Sequence, residues 1–527
     1  MTVAAPPNGA PDSFYVILLV FLTLCGFLWI FTSTTDDDAA MISARDGSRQ
    51  AWRDGMAISG DSLSAVTLMA LVGLITLTGY DGLTLSLGCV MGLVLLTLIA
   101  EPLRRTDGRS VGDALTVRFA ERSVRTAIGI VTLCVCLSYL VLQLTAIGRL
   151  TSFVMGFSGT TTTSTVIITV GVLMVFLAVH GGIRGTARVQ LVKVVILLIA
   201  AFVLAAMVLR RFDWDPSRLM DAAADGSGLG DAFLGPGVQY GPGTNGTANR
   251  LGLFATLALG ISCLPHVTMR VLATPSARAT RTAMGWAVTQ LAVISSLLAV
   301  IGFGAAAIVG SADVRDADPT GGAALLMVTE ALRPGGVLMS IVFCVVFLTA
   351  LATVADVTIA AAVSVVYDLA RRSPRTAGQD GRRTERRAHV AATIVGVTAI
   401  ALAVLAAGWN LLVLSTIAMT LAASALAPVL VYGLLWPRFT RHGLLWCVYG
   451  TAAATAVLLA GSPLISGTPA SAFPALDWQW NSLINPGLVT VPLGFALGWL
   501  GSVLHRTEAN AQRYRELATA ALTRHTE

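Results

Sequence analysis

The sequence predicts an all-α polytopic membrane protein with about thirteen transmembrane helices. Three observations carry that expectation. Hydrophobic residues make up 55% of the chain and charged residues only 12%, far below the ~25% charge of a soluble domain. Apolar runs near the ~20 residues that cross a bilayer recur from end to end. Basic residues fall into alternate loops, as they do when arginine and lysine are retained on one face of a membrane.

The runs are Phe14–Phe31, Ala57–Tyr80, Gly82–Ala100, Ala127–Met155, Thr165–Val179, Val189–Leu209, Leu251–Met269, Trp286–Val309, Val337–Val366, Val390–Ala407, Leu411–Leu435, Leu444–Ala460 and Leu488–Leu504. Assigning the loops alternately places seven basic residues on one side: Arg149, Arg210, Arg211, Arg218, Arg250, Arg315 and Arg333. The other side receives the remaining 28 of the 35, including Arg184, Arg188, Lys193, Arg270, Arg278 and Arg281. That richer side is expected to be the cytoplasm, with the N-terminus outside and the C-terminus inside. Such a topology requires an odd number of spans. The net charge of +6 is thereby explained without a nucleic-acid partner.

The segments before and after the runs are simple. Residues 1–13 are an exterior segment without the basic n-region of a signal peptide, so 14–31 is expected to stay as a first peripheral helix. Residues 210–250 are rich in Gly, Asp and Ala and read as a flexible exterior loop with at most a short helix. Residues 444–504 hold two peripheral helices, and 505–527 a charged cytoplasmic tail. All seven cysteines lie in apolar runs without metal or disulfide spacing and are expected to be small core residues. Lys193 is the chain's single lysine, the other 34 basic residues being arginine.

Chemistry is expected where membrane helices break. In hydrocarbon every backbone polar group must be satisfied, so discontinuous helices are confined to sites that use the exposed groups. Ala57–Tyr80 carries Gly60 and Gly73 beside Asp61, and Leu251–Met269 carries Gly260 and Pro265. These two runs are five apart. Residues 57–209 and 251–435 are then two five-helix halves of opposite orientation, an inverted repeat.

The chain resembles the sodium:solute symporter family, and within it the cation/acetate, or short monocarboxylate, branch. The resemblance runs in order through "DGMAISGDSLSA", "GYDGLTLSLG", "SVGDALTVRF", "GGIRGTARVQLVK", "LPHVTMRVLATPSARATR", "VVYDLARR" and "AMTLAASALAPVLVYGLLW". It implies a leucine-transporter-like core and a coupling cation, Na+ favoured and H+ possible, held between the broken second span and the ninth. Carried over motif by motif, the ligands are the carbonyls of Gly60, Leu63 and Thr349 and the hydroxyl of Thr353. Ala352 stands where many members have serine, which removes one oxygen. Gln190 stands where some sodium-coupled members place an aspartate for a second sodium, so a single coupling cation is expected. "VTLMALVG" after the GDSLSA piece also departs from the branch's usual run, which puts the substrate preference in doubt.

Asp356 comes from the residues themselves. It lies deep in an apolar run, three residues after Thr353 and on the same helix face. An intramembrane carboxylate there either binds a cation or carries a proton, and the alternative is a vestibule-facing or structural group. Asp61 either serves coupling or caps its helix. For a small organic anion, Thr67, Tyr139, Gln143, Ser262 and Ser424 are the candidate contacts, although any one of them singly is more ordinary as interhelical packing. His266 and Arg270 read as gate or topology residues.

No catalytic triad, nucleotide loop or metal cluster is present in the sequence, so neither an enzyme nor a cofactor is expected. The leading expectation is a secondary symporter of the bacterial cytoplasmic membrane that takes up acetate, propionate or pyruvate with a cation. A symporter for another small solute such as an amino acid is the alternative. A transporter-like sensor is the reading from another class, and it would call for a kinase or phosphoacceptor module after the last span.

Overall fold

The computed structural model describes residues 47–119, 121–157, 159–370, 381–468 and 471–505, with Val20 and Gly26. The expected span Phe14–Phe31, Cys25 and the tail beyond His505 lie outside the described residues apart from those two positions. Among the described residues the chain is helical and its one β-contact is an isolated bridge, Ser466 with Phe473. Eleven helical segments are long and apolar enough to cross a membrane. One of them, Ala65–Arg104, contains the run Gly82–Ala100 and the part of Ala57–Tyr80 that follows Ser64. A 3-10 turn at Gly79–Gly82 separates these as α2 (Ala65–Thr78) and α3 (Leu83–Arg104).

Ahead of them stands α1 (Gly47–Ser62), and behind them α4 (Val111–Phe119) and α5 (Arg122–Val154). The sequence expects a loop between Val179 and Val189. Instead α6 is helical from Thr160 to Arg211, joining the apolar stretches Thr161–Val179 and Arg188–Arg211. No proline interrupts it, and glycine costs a helix only about 1 kcal/mol against alanine.

The stretch expected to be a flexible loop is built. Asp215 caps α7 (Pro216–Ser227) by accepting from the Ser217 amide, and Phe233 is buried in the 3-10 turn that follows. Asp81, buried at the Gly79–Gly82 turn, accepts from the amides of Gly237 and Gln239, each at 2.9 Å, and from Arg250 at 3.0 Å. A carboxylate with three donors pins this segment to the turn.

The second half begins with α8 (Thr244–Ser262), α9 (Pro265–Leu272) and α10 (Ala277–Ile308). Two short helices follow, α11 (Ser311–Ala317) and α12 (Ala324–Leu332). Then come α13 (Val337–Ser364), α14 (Gly381–Leu405), α15 (Leu411–Leu421) and α16 (Ala427–Leu435). The last pair, α17 (Arg441–Ala460) and α18 (Gly487–Leu504), pack on each other.

The middle of helix α13 is central: every residue from Thr349 to Thr358 is buried, so that stretch has no free face. The surroundings differ. On α6 Ile199 and Phe202 are exposed, and on α14 Ile394 and Val397, which suits an outer helix against lipid. Cys134 on α5 is exposed rather than a core residue; five other cysteines are buried.

Both expected breaks exist, displaced from the glycines that suggested them. The first falls at Leu63 and Ser64, the second at Cys263 and Leu264. Gly73 lies inside α2, where a Cβ would meet the Gly321 carbonyl oxygen at 2.2 Å, and Gly260 lies inside α8 against the Met419 carbonyl oxygen. These glycines serve close backbone approach.

Candidate functional site: the two helix breaks and the buried charges between them

At the first break, Ser64 has an extended backbone and caps α2 by accepting from the Thr67 amide at 3.1 Å. In an unbroken helix that amide would donate to the Leu63 carbonyl. The cap therefore releases the Leu63 oxygen. The Gly60 carbonyl accepts a tightened bond from the Leu63 amide at 3.1 Å and keeps a second lone pair. Of the four oxygens that the resemblance implies as cation ligands, the two from this helix thus have acceptor capacity at the break.

Lys193 takes both. Its Nζ donates to the Gly60 carbonyl at 2.6 Å and to the Leu63 carbonyl at 2.9 Å, and the side chain is wholly buried. Gly60 makes the approach of α6 possible, because a Cβ there would lie 2.8 Å from both Gln190 Oε1 and Val194 Cγ2. In the sequence Lys193 falls among the charges of the cytoplasmic side, and no motif ties it to the site. The available signal was its solitude: one lysine in an arginine-based chain, just inside an apolar run.

The second break delivers the opposite partners. Pro265 opens α9, where its missing N–H costs nothing, and one face of that short helix carries His266 and Arg270. Arg270 donates from Nε to Asp61 at 2.8 Å and from Nη2 to Asp61 at 3.3 Å and Asp356 at 3.1 Å. Gln190, one turn before Lys193, donates from Nε2 to the other oxygen of Asp356, while its Oε1 is buried without a hydrogen-bond partner. His266 Nε2 lies 3.2 Å from the Asp61 carbonyl oxygen. Asp61 and Asp356, 1% and 6% exposed, are thereby bridged by one guanidinium.

Thr349 and Thr353 face inward on α13 with their hydroxyls donating to carbonyls one turn back, at Val345 (2.7 Å) and Thr349 (2.9 Å). Each such hydroxyl oxygen still has acceptor capacity. Of the candidate substrate contacts, the structure gathers Thr67 and Tyr139. The Thr67 hydroxyl is 3.0 Å from that of Ser64, the Tyr139 hydroxyl lies beside both, and the Tyr139 ring packs tilted against His266 with centroids 5.5 Å apart. Gln143, one turn further along α5, is fully buried with neither amide atom hydrogen-bonded. Ser262 turns back to the Leu259 carbonyl at 2.8 Å. Ser424 pairs with Thr490 of α18 at 2.6 Å.

The sodium:solute symporter family model matches residues 46–450. The chain belongs to the sodium:solute symporter family. Two relatives extend the similarity over nearly the whole sequence. It is 30% identical to the monocarboxylic acid transporter of Corynebacterium glutamicum, covering 97% of this chain and 94% of that one. It is also 30% identical to the uncharacterized symporter YwcA of Bacillus subtilis, covering 92% and 94%. Among solved structures, a Na+-coupled sialic acid symporter in a substrate-bound outward-open state aligns with a TM-score of 0.69 at 16% identity, over 94% of this chain and 99% of that one. MhsT, solved with L-phenylalanine, aligns with a TM-score of 0.51 at 13% identity, over 87% and 99%. At such identities the likeness is one of fold. This member of the family is accordingly a multi-pass membrane transporter and not an enzyme, with the all-α leucine-transporter-like fold that the sequence predicts.

Proposed function

We propose that this symporter imports a short monocarboxylate such as acetate, propionate or pyruvate, driven by a monovalent cation, across a bacterial cytoplasmic membrane. The observation that carries the substrate is the 30% identity, over 97% of the chain, to a monocarboxylic acid transporter. The interior is consistent with it. Gln143 offers an unpaired amide, which satisfies an acceptor or donor only when a polar ligand arrives. Tyr139 and Thr67 add hydroxyls suited to a carboxylate oxygen.

Membership of this family supports sodium as the coupling ion. The ammonium of Lys193 on the two break carbonyls is the specific observation that favours a second reading, coupling to a proton. The arginine distribution in the sequence supports a cytoplasmic C-terminus. Reporters fused after Leu209 and after Ala370 are then expected on opposite faces of the membrane, exterior and cytoplasmic respectively; the same face for both would refute that topology.

Counterflow of labelled acetate in proteoliposomes tests the substrate with no ion gradient imposed. Unlabelled acetate, propionate or pyruvate inside the vesicles is expected to drive accumulation of label, and amino acids are expected not to. Accumulation driven by an amino acid instead would replace the monocarboxylate reading.

A further inference from the structure

We infer that Lys193 is a tethered cation that permanently replaces a free sodium ion at the first helix break, so that this transporter binds no sodium there. The inference rests on the symport reading and narrows its ion site.

Three observations converge. The first is occupancy. A sodium ion at this break would need the carbonyl oxygens of Gly60 and Leu63, and both are engaged by one ammonium at 2.6 and 2.9 Å in a site with no exposure. Those distances are ordinary charge-assisted hydrogen bonds, which leave no room for an ion between donor and acceptor.

The second is charge. The ionisable groups that face Lys193 are Asp61 from α1, His266 and Arg270 from α9 and Asp356 from α13. Counted formally, the two carboxylates are set against one ammonium and one guanidinium, so the charges that face Lys193 balance. Arg270 bridges both carboxylates, while Asp54 lies further out along α1 and faces Arg270. A sodium ion added to this cluster would leave a buried excess positive charge, which is costly in a low-dielectric interior. Removing the ammonium leaves one excess carboxylate, the Leu63 carbonyl oxygen without its donor and a free lone pair on that of Gly60, a combination that a hard monovalent cation satisfies.

The third is composition. Of 35 basic residues 34 are arginine, and the single lysine is the one buried at the break. A guanidinium is planar and presents its donors in a wide fork. An ammonium is a compact point charge on a flexible stem, the protein group that most resembles a bare monovalent ion. The chain uses lysine at the position where that shape is needed. Gly60 completes the fit, since any side chain there would push α6 and its lysine away.

The test is sodium binding by the purified full-length protein, read as the thermal unfolding midpoint in detergent while sodium chloride replaces choline chloride at constant ionic strength. A ligand that binds only the folded state raises the midpoint in a saturable way. The wild type is expected to show no sodium-specific rise. Lys193→Ala is expected to start lower and to gain a saturable sodium-specific rise of several degrees. A saturable sodium-specific rise in the wild type would overturn the inference, as would its absence in a folded Lys193→Ala protein. Should that variant not fold, the wild-type titration decides alone. No substrate enters this measurement, so failure of acetate counterflow would remove the monocarboxylate reading and leave the ion result standing. Where counterflow succeeds, acetate uptake by the wild type is expected to be unchanged when choline replaces sodium, and a loss of tenfold or more would count against the tethered cation.

Discussion

The two helix breaks differ in what they do with the same backbone interruption. At Leu63 and Ser64 a hydroxyl cap takes the amide that would have closed the helix, and the freed Leu63 carbonyl is offered to a cation together with the second lone pair of Gly60. At Cys263 and Leu264 a proline starts the new helix, and the interruption aims side chains, His266 and Arg270, at the first break. The first break is a ligand and the second is a hand. The comparison teaches that a broken membrane helix need not expose backbone to a substrate. It can equally redirect one short helix so that its charged face meets the interior of the bundle.

The largest effect is expected on removing the link between the breaks. Arg270→Met leaves Asp61 and Asp356 buried without the cation that bridges them, a change that costs about 3–5 kcal/mol in comparable buried pairs. A fall in the unfolding midpoint larger than that of any other variant here, with loss of uptake, is expected. Near-normal stability would mean that the second break does not hold the first.

Next in size is Asp356→Asn, which keeps the shape but removes one charge. Arg270 retains Asp61 at 2.8 Å, so the protein is expected to fold, with concentrative uptake abolished and exchange partly retained. Coupling and binding are separable functions of a two-state cycle. Normal accumulation across a range of pH and sodium concentration would make Asp356 structural.

Breaking the breaks themselves is expected to be gentler. Ser64→Ala removes the cap of α2 at about 1 kcal/mol and returns the Thr67 amide to the Leu63 carbonyl, competing with Lys193. Pro265→Ala is expected to cost less in stability, because its ring makes no hydrogen bond. Uptake should therefore fall more for Ser64→Ala than for Pro265→Ala, and the reverse order would exchange the roles assigned to the two breaks. The smallest effect is expected for Thr353→Ala, whose hydroxyl donates within its own helix. A loss of uptake as large as that of Asp356→Asn would make the Thr353 hydroxyl, through its acceptor lone pairs, an ion ligand.

Much of this was legible in the linear chain. Apolar runs, alternating arginines and interrupted helices report directly on a solvent that tolerates neither charge nor unpaired backbone, so the membrane fold and the existence of both breaks follow from composition and order. Asp61 and Asp356 were legible for the same reason: a carboxylate in an apolar run is too costly to be incidental. The bonding of Ser424 to Thr490 was not, because the two are 66 residues apart on helices that only packing brings together. Nor was the segment after α6, whose Gly- and Asp-rich composition looks flexible until Asp81, far upstream, accepts three of its donors.

What the sequence determined by itself was the list of groups that must be satisfied: two intramembrane carboxylates, an arginine beside a proline break, carbonyls loosened near Gly60, and a solitary lysine. Which group satisfies which was decided only by the tertiary structure. Lys193 stands 130 residues from Leu63 and Arg270 stands 209 from Asp61, and pairing over such separations depends on helix packing that no local pattern encodes. Four residues into its run, Lys193 is equally suited to an edge charge reaching water and to a buried ammonium. The glycine at residue 60 settles it, because only the close approach of α6 to the break carries the ammonium to its two oxygens.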